Sequence, residues 1–213
     1  MIAIIGAGGH ARCVYECFHL QGLKVAGFFD DNLEKLGSEV INGVKVIGGS
    51  RDVENHSEID TIFVAIGDNR KRLEKFGYFK TKGYKILNAV HEIAYISTFV
   101  KMGEGNFIMG RSVINPGSVI GNYCIINTSA TVGHDCKLED GVQIGPGVNL
   151  AGSSILKKGA FIGIGAKVAP GVTVGQWAVV GAGSVVLDNL PDKTFCIGTP
   201  ANVVKYFNNS GTI

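Results

Sequence analysis

The chain has 213 residues, 46% of them hydrophobic, with 31 glycines and a formal net charge of +2. That length suits one large or two small domains, the near-neutral charge gives no electrostatic case for a nucleic-acid partner, and no apolar run approaches the roughly 18 residues of a membrane span, so no stable membrane insertion is expected. Five cysteines (Cys13, Cys17, Cys124, Cys136, Cys196) leave one unpaired in any scheme and lack zinc-ribbon spacing, which fits a reduced, cytoplasmic setting.

Met1 to Ile5 reads as a short buried strand with no signal-peptide pattern before it. Gly6-Ala7-Gly8-Gly9-His10 follows, then a helix with Val14, Cys17 and Phe18 on its apolar side. Val25 to Phe29 is a second strand, ending at Asp30-Asp31-Asn32. Strand, glycine loop, helix, strand and acid is the order of a mononucleotide-binding half. Glycines let the backbone approach a phosphate, and the acid after the second strand can accept from a ribose or base donor. The spacing is not the dinucleotide fingerprint, because Ala11 stands where a third glycine would fall and no second half follows. A tight turn without any ligand explains the same glycines. Further elements are a strand at Val44 to Ile47, a helical stretch from Arg51 to Asn55, and a strand from Ile59 to Ile66. A helix from Asn69 to Lys82 and a closing strand from Ile86 to Val90 complete an α/β domain. Asp68 or Asn69 would cap that second helix.

From Ile96 to Val186 every sixth residue is aliphatic or Met102, and the phase never slips. A small or medium residue recurs four places on, as at Ser112, Cys124, Cys136, Ala160 and Ser184, with glycine frequent between. Six is neither helical nor a plain strand period. It suits a short strand, a tight corner and another short strand, three units closing an eighteen-residue coil that stacks on the next. The pattern resembles the hexapeptide-repeat, left-handed parallel β-helix family, with clear copies at Ile120-Gly121, Val132-Gly133, Ile144-Gly145 and Ile162-Gly163. Asp188-Asn189-Leu190-Pro191-Asp192 breaks the repeat, and a short segment from Val203 to Phe207 precedes a polar tail. The expected organisation is a small Rossmann-like domain over 1–92, a β-helix domain over 93–206 and a disordered tail over 207–213.

Of five histidines only His134 lies inside the repeat, at a hexapeptide turn where its side chain can leave the coil. With Asp135 beside it, such an imidazole could take a proton from an amine or hydroxyl. A solvent-exposed or interface-packing histidine is the competing explanation. One coil histidine does not make the three-histidine zinc site of coil hydratases, no Gly-x-Ser-x-Gly elbow is present, and no metal is expected.

Gly6 to His10, Phe29 to Asn32, and Ala65-Ile66-Gly67-Asp68-Asn69 together resemble the N-domain of bacterial sugar acyltransferases. These are the enzymes related to sialic-acid O-acetyltransferase and to nucleotide-diphosphate amino-sugar N-acetyltransferases. Ile125 to Cys136 is similar to the active-site coil of that family, and Gly198-Thr199-Pro200-Ala201 to its ending. The resemblance implies a homotrimer with sites between coils, acetyl-CoA as cosubstrate and a nucleotide sugar held by the N-domain. It implies His134 as general base on a sugar 4-amine of a 4-amino-4,6-dideoxy sugar, Asp135 supporting it, and Asn127 contacting the sugar. Gly152 would offer backbone hydrogen bonding near the thioester, and Gly171 would contact the cofactor. Gly8, Gly9 and His10 would approach the phosphates, Asp30 or Asp31 the ribose or base, and Gly67 and Asn69 would complete the substrate loop. Two positions depart from the pattern. Gln143 stands where several relatives carry a second histidine that contacts acetyl-CoA, and glutamine cannot act as a cation or base. Asn202 replaces a common terminal Lys or Arg.

Oxygen acetylation of sialic acid or a related sugar shares the coil, cosubstrate and base, and is the nearest rival. A non-catalytic trimeric scaffold that binds a sugar nucleotide is the rival from another class, predicting free replacement of His134. A dehydrogenase is disfavoured, because only one small nucleotide half is present.

Overall fold

The computed structural model describes residues 1–208. The chain divides into two units, one formed by Met1–Glu92 with Glu104–Phe107 and the other by Ile93–Gly103 and the chain from Ile108 onward.

The first unit is built on a six-stranded sheet. In chain order its strands are β1 (Ile2–Ile5), β2 (Val25–Phe29), β3 (Glu39–Ile41), β4 (Val44–Gly48), β5 (Thr61–Val64) and β6 (Lys85–Ile86), arranged β3-β4-β2-β1-β5-β6. All neighbours are parallel except β3 against β4. The apolar runs of β1 and β5 are buried throughout, as a parallel sheet covered on both faces requires. Helix α1 (Gly9–Leu20) buries Ala11, Val14, Tyr15, Cys17 and Phe18, the side that its apolar spacing marks. Helix α2 (Asn69–Thr81) starts at Asp68, whose carboxylate accepts from the Lys71 N–H at 2.8 Å, and it buries Arg72, Phe76 and Phe79.

Several expectations change here. The helical stretch near Arg51 is a 3-10 turn, Asp52–Asn55, and β5 is shorter than Ile59 to Ile66. The single closing strand is two pieces, Lys85–Ile86 and Ala89–Val90, of which the first pairs with β5. Strand β3 was not expected. It forms a hairpin through Asn42-Gly43, both with positive φ (52° and 74°), and that dipeptide is a strong hairpin signal in the sequence.

The second unit is the expected coil. Two-residue strands pair in parallel with strands eighteen positions on, as Ile125–Ile126 does with Gln143–Ile144 and Thr131–Val132 with Asn149–Leu150. Three walls result. The inward column Ile108, Ile126, Ile144, Ile162, Val180 lines one, Ile114, Val132, Leu150, Val168, Val186 the second, and Ile120, Leu138, Leu156, Val174 the third, each at most 3% exposed. Every such side chain contributes about 1.5–3 kcal/mol by leaving water. The residues four places on (Ser112, Ser118, Cys124, Ala130, Cys136, Val142) are buried as the register requires. Corners also recur every six residues. Arg111, Gly117, Tyr123, Ser129, Asp135, Gly141, Gly147, Ser153 and Gly159 all have φ between 56° and 77°.

Past the coil, Thr194–Gly198 extends the first wall and turns back as an antiparallel hairpin with Ala201–Tyr206. Phe207 is held by its N–H to the Lys193 carbonyl at 2.7 Å, so the expected disordered tail does not begin there. The remainder of that tail, 209–213, lies outside the described residues. Among the described residues no helix is long and apolar enough to cross a membrane.

Candidate active site

Two places gather chemistry, one in each unit. In the coil, Val132 and Leu138 point inward, so the six-residue step between them must turn a corner at Gly133 to Cys136. Asp135 adopts the left-handed conformation at that corner (φ 56°), a state Asp tolerates better than most residues. Its carboxylate then lies beside the preceding imidazole, with Asp135 Oδ2 2.8 Å from His134 Nδ1. Both side chains are exposed. A carboxylate on Nδ1 places the proton there and leaves Nε2 as the acceptor of a substrate proton.

Neighbouring coils hold this corner from both sides. Asp135 N–H donates to the Pro116 carbonyl at 3.1 Å, and Ser153 N–H donates to the His134 carbonyl at 2.8 Å. The buried Ser118 hydroxyl donates to the Gly133 carbonyl at 2.7 Å and accepts from Cys136 N–H at 3.1 Å, bracketing the His-Asp pair. Two glycines make room for the side chains. A Cβ on Gly152 would sit 2.5 Å from His134 Nε2, and one on Gly117 would collide with Asp135 Oδ1. The ring therefore lies over Gly152, whose own N–H makes no hydrogen bond among the described residues. Gly171 continues the column at the same corner, its N–H donating to the Gly152 carbonyl at 3.0 Å.

Asn127 is not brought to this corner. It stands at the preceding one, its side-chain oxygen accepting from the Thr128 N–H at 2.8 Å. Gln143 sits outward on the wall strand Gln143–Ile144, and its Oε1 is buried without a partner among the described residues.

In the first unit a cavity of 170 Å³ opens at the carboxyl ends of β1, β2, β4 and β5, lined by Ile5, Gly6, Phe29, Asp30, Asp31, Ser50 and Ile66. A doubly wound sheet receives its ligands there, where strand order reverses. Gly6 needs its lack of a side chain (φ 104°), because a Cβ would meet the Ala65 carbonyl oxygen. Gly8, Gly9 and Gly67 have open space where a Cβ would stand, so packing within the chain does not explain them. Asp30 accepts from the Ala7 and Asn32 N–H groups and from Lys35 Nζ, each bond between 2.8 and 2.9 Å. Partial burial would raise its carboxyl, but the bonds from Lys35 and these N–H groups win and lower it. Asp31 accepts from Ser50 N–H at 2.8 Å and Lys75 Nζ at 2.7 Å. There too burial raises, yet Lys75 and Ser50 together pull the carboxyl down to about 2. Asn69 does not line the cavity. Its Oδ1 accepts from Arg72 Nη2 at 2.8 Å, while Arg72 Nη1 donates to the Ile66 and Gly67 carbonyls, so the buried guanidinium fixes the loop before α2.

His10 departs most from the role expected of it. Its ring packs edge-on to Phe107 at 4.6 Å, with Nε2 buried and without a partner among the described residues. Burial, reinforced by the Arg72 charge, lowers its pKa to about 4. The imidazole is neutral near pH 7 and offers no imidazolium charge to a phosphate. Arg72, Ser50 and Lys75 escaped the sequence reading, because their partners lie in distant segments and no local spacing marks them.

Residues 1–79 match the family described as PglD N-terminal domain, and 99–134, 119–152 and 153–188 match the bacterial transferase hexapeptide (six repeats). Among solved structures, a perosamine N-acetyltransferase variant from Caulobacter crescentus, in complex with CoA and GDP-perosamine, is 39% identical with a TM-score of 0.89, covering 96% of this chain and 96% of that one. The acetyltransferase domain of PglB from Neisseria gonorrhoeae, in complex with acetyl coenzyme A, is 34% identical with a TM-score of 0.89, covering 95% of this chain and 98% of that one. The three-walled coil is thus the left-handed parallel β-helix that the hexapeptide period implies. Among curated relatives, the serine acetyltransferase of Bacillus subtilis is 36% identical over 136 residues, 59% of this chain and 57% of that protein. The chain spans from about a quarter to somewhat over half the length of the first curated relatives it matches.

Proposed function

The chain belongs to the hexapeptide-repeat family of bacterial nucleotide-sugar N-acetyltransferases, and from that premise we propose that it transfers acetyl from acetyl-CoA to the 4-amine of a nucleoside-diphosphate-linked 4-amino-4,6-dideoxy sugar. The observation that carries the site assignment is the His134–Asp135 pair, held at 2.8 Å over Gly152, whose N–H has no partner among the described residues.

In this reading a sugar amine loses its proton to His134 Nε2 as its lone pair attacks the thioester carbonyl. Asp135 keeps the Nδ1 proton in place and offsets the imidazolium charge. The negative charge developing on the carbonyl oxygen is met by the Gly152 N–H, a donor without a hydrogen-bond partner among the described residues. Collapse expels the CoA thiolate and leaves an acetamide. A well-placed base is worth about 10²–10⁴-fold, and positioning of the two substrates adds to it. Gly171, one coil further along the same corner column, and Gln143, on the wall, are the proposed cofactor-side residues, and Asn127 the proposed sugar contact. In the N-terminal unit, Gly8, Gly9, His10 and Gly67 are assigned to the diphosphate loops through backbone groups, Asn69 to support of its loop, and Asp30 and Asp31 to the nucleoside.

Nitrogen acetylation is preferred to ester formation because the N-acetyltransferase neighbour covers nearly the whole chain, whereas the serine acetyltransferase match is confined to 59% of it. The family resemblance supports a homotrimer with sites between coils, and five free thiols support a reduced, cytoplasmic setting.

The decisive experiment measures thiol release from acetyl-CoA with UDP-, dTDP- and GDP-linked 4-amino sugars, followed by the product's mass and hydroxylamine stability. Release with an amide product is expected. No turnover with any 4-amino sugar nucleotide, or a hydroxylamine-labile ester, would overturn the assignment. Sizing in solution should give a mass near three times 22.5 kDa.

A further inference from the structure

We propose that Lys75 is a positioning residue of the nucleoside pocket, clamping Asp31 and Ser50 so that the cavity offers a fixed row of hydrogen-bond acceptors to a nucleoside's donor groups. The inference rests on the nucleotide-sugar reading above and names a residue which that reading does not use.

Lys75 lies on α2, far in sequence from the β2 and β4 loops that line the cavity. Its Nζ donates to Asp31 Oδ2 at 2.7 Å and to Ser50 Oγ at 2.6 Å. Ser50 closes the circuit by donating its own N–H to Asp31 Oδ1 at 2.8 Å, and at 2% exposure it has no freedom to turn away. One ammonium thus ties together the ends of two neighbouring strands at the cavity rim. Three charge-assisted or buried bonds converging on so few atoms fix the carboxylate plane.

The chemistry of the lining follows from this arrangement. Asp30 and Asp31 are both ionised, and ionised carboxylates only accept. Gly6 N–H is already spent on the Phe29 carbonyl, and Ser50 on Asp31. The carboxylate oxygens of Asp30 and Asp31 are the charged groups that the lining offers a ligand. These oxygens suit a group that donates, such as the ribose hydroxyls or a ring N–H of the base. At 170 Å³ the cavity has room for a ring of a nucleoside. Without Lys75 the Asp31 carboxylate would keep only the Ser50 N–H and lose its balancing cation.

The test compares binding of UDP, GDP and dTDP to the full-length protein, Lys75→Met and Lys75→Arg by titration calorimetry, with thermal unfolding to show that each is folded. Lys75→Met is expected to weaken the preferred nucleotide about 10-fold and to raise the nucleotide sugar's KM by a similar factor. Acetyl-CoA affinity should stay within twofold, and Lys75→Arg should recover most of the loss. Comparing the ribo and 2′-deoxy forms of the preferred nucleotide, dTDP being itself a 2′-deoxy form, separates the 2′-hydroxyl from the other donors. A smaller penalty in the 2′-deoxy form assigns the 2′-hydroxyl, and an equal penalty assigns the 3′-hydroxyl or the base. If the unmodified protein binds no nucleoside diphosphate, the nucleotide reading fails and takes the clamp with it. If it binds one and folded Lys75→Met binds equally well, the clamp alone is overturned.

Discussion

His134 Nδ1 and Asp135 Oδ2 are 2.8 Å apart although the residues are adjacent in the chain, an arrangement that extended or helical backbone would not favour. The left-handed turn at Asp135 (φ 56°) brings the two side chains to the same side. If this pair is the base and its support, His134→Ala should lower kcat by at least about 10²-fold while the coil melts normally. Asp135→Asn should cost less, about 10-fold, because the amide still occupies the space but no longer balances an imidazolium. Near-normal turnover in His134→Ala, measured by thiol release, would remove the imidazole from the chemistry.

The two glycines beside the pair give a finer test, since their backbones differ. Gly152 would place a Cβ against the His134 ring, and Gly117 would place one on the Asp135 carboxylate at a φ of 77°. Gly152→Ala should therefore reduce kcat/KM by about 10- to 100-fold with little change in melting temperature. Gly117→Ala should lower both activity and stability, the latter by about 1 kcal/mol from backbone strain alone. Gly165 shares the strained backbone (φ 69°) but has open space where a Cβ would go. Gly165→Ala should cost similar stability and leave turnover intact. Loss of activity in proportion to stability across all three would mean that steric room for the ring is irrelevant.

Much of this site was legible in the chain because the coil repeats. A six-residue period fixes which residues point inward, so the outward place of His134 and its stacking under Gly152 follow by counting eighteen. The period does not reveal φ at a given corner, since Asp, Ser, Tyr and Arg occupy the left-handed position as well as Gly. The contact between His134 and Asp135 was therefore visible only in the structure. The N-terminal unit was legible as an order of elements, but its cavity depends on pairs such as Asp31 with Lys75 and Asp31 with Ser50, which no short window contains. The neutral state of His10 was hidden for the same reason, being set by Phe107 and Arg72.

Thiol reactivity checks the coil register directly. Cys124 and Cys136 point inward, Cys17 and Cys196 are buried as well, and Cys13 alone is half-exposed. Burial pushes the Cys17 thiol up to about 12 and raises Cys136 and Cys196, which suppresses the reactive thiolate. Brief alkylation with iodoacetamide at pH 8 should add at most one label to the native protein, at Cys13, and five after denaturation. Peptide mass mapping reads the outcome. Rapid native labelling of Cys124 or Cys136 would show that these positions face outward and that the inward columns are misassigned.

His10 makes a prediction about pH in which the sign is fixed by burial. Its pKa falls from 6.5 in the unfolded chain to about 4 when folded, because burial and then the Arg72 charge disfavour the imidazolium. Below pH 6.5 the unfolded chain takes up a proton that the folded chain refuses, so the contribution of His10 to stability is present above 6.5 and drains away as pH falls toward 4. The full loss is on the order of 3 kcal/mol, at up to about 1.4 kcal/mol per pH unit. His10→Phe retains a ring to meet Phe107 and removes the titration. Urea unfolding at pH 7.5, 6.0 and 5.0 should then show the gap between the two proteins shifting in favour of His10→Phe as pH drops. Parallel curves for the two proteins would place the folded His10 in water, able to hold its proton, and would return the imidazolium to the list of groups able to meet a phosphate.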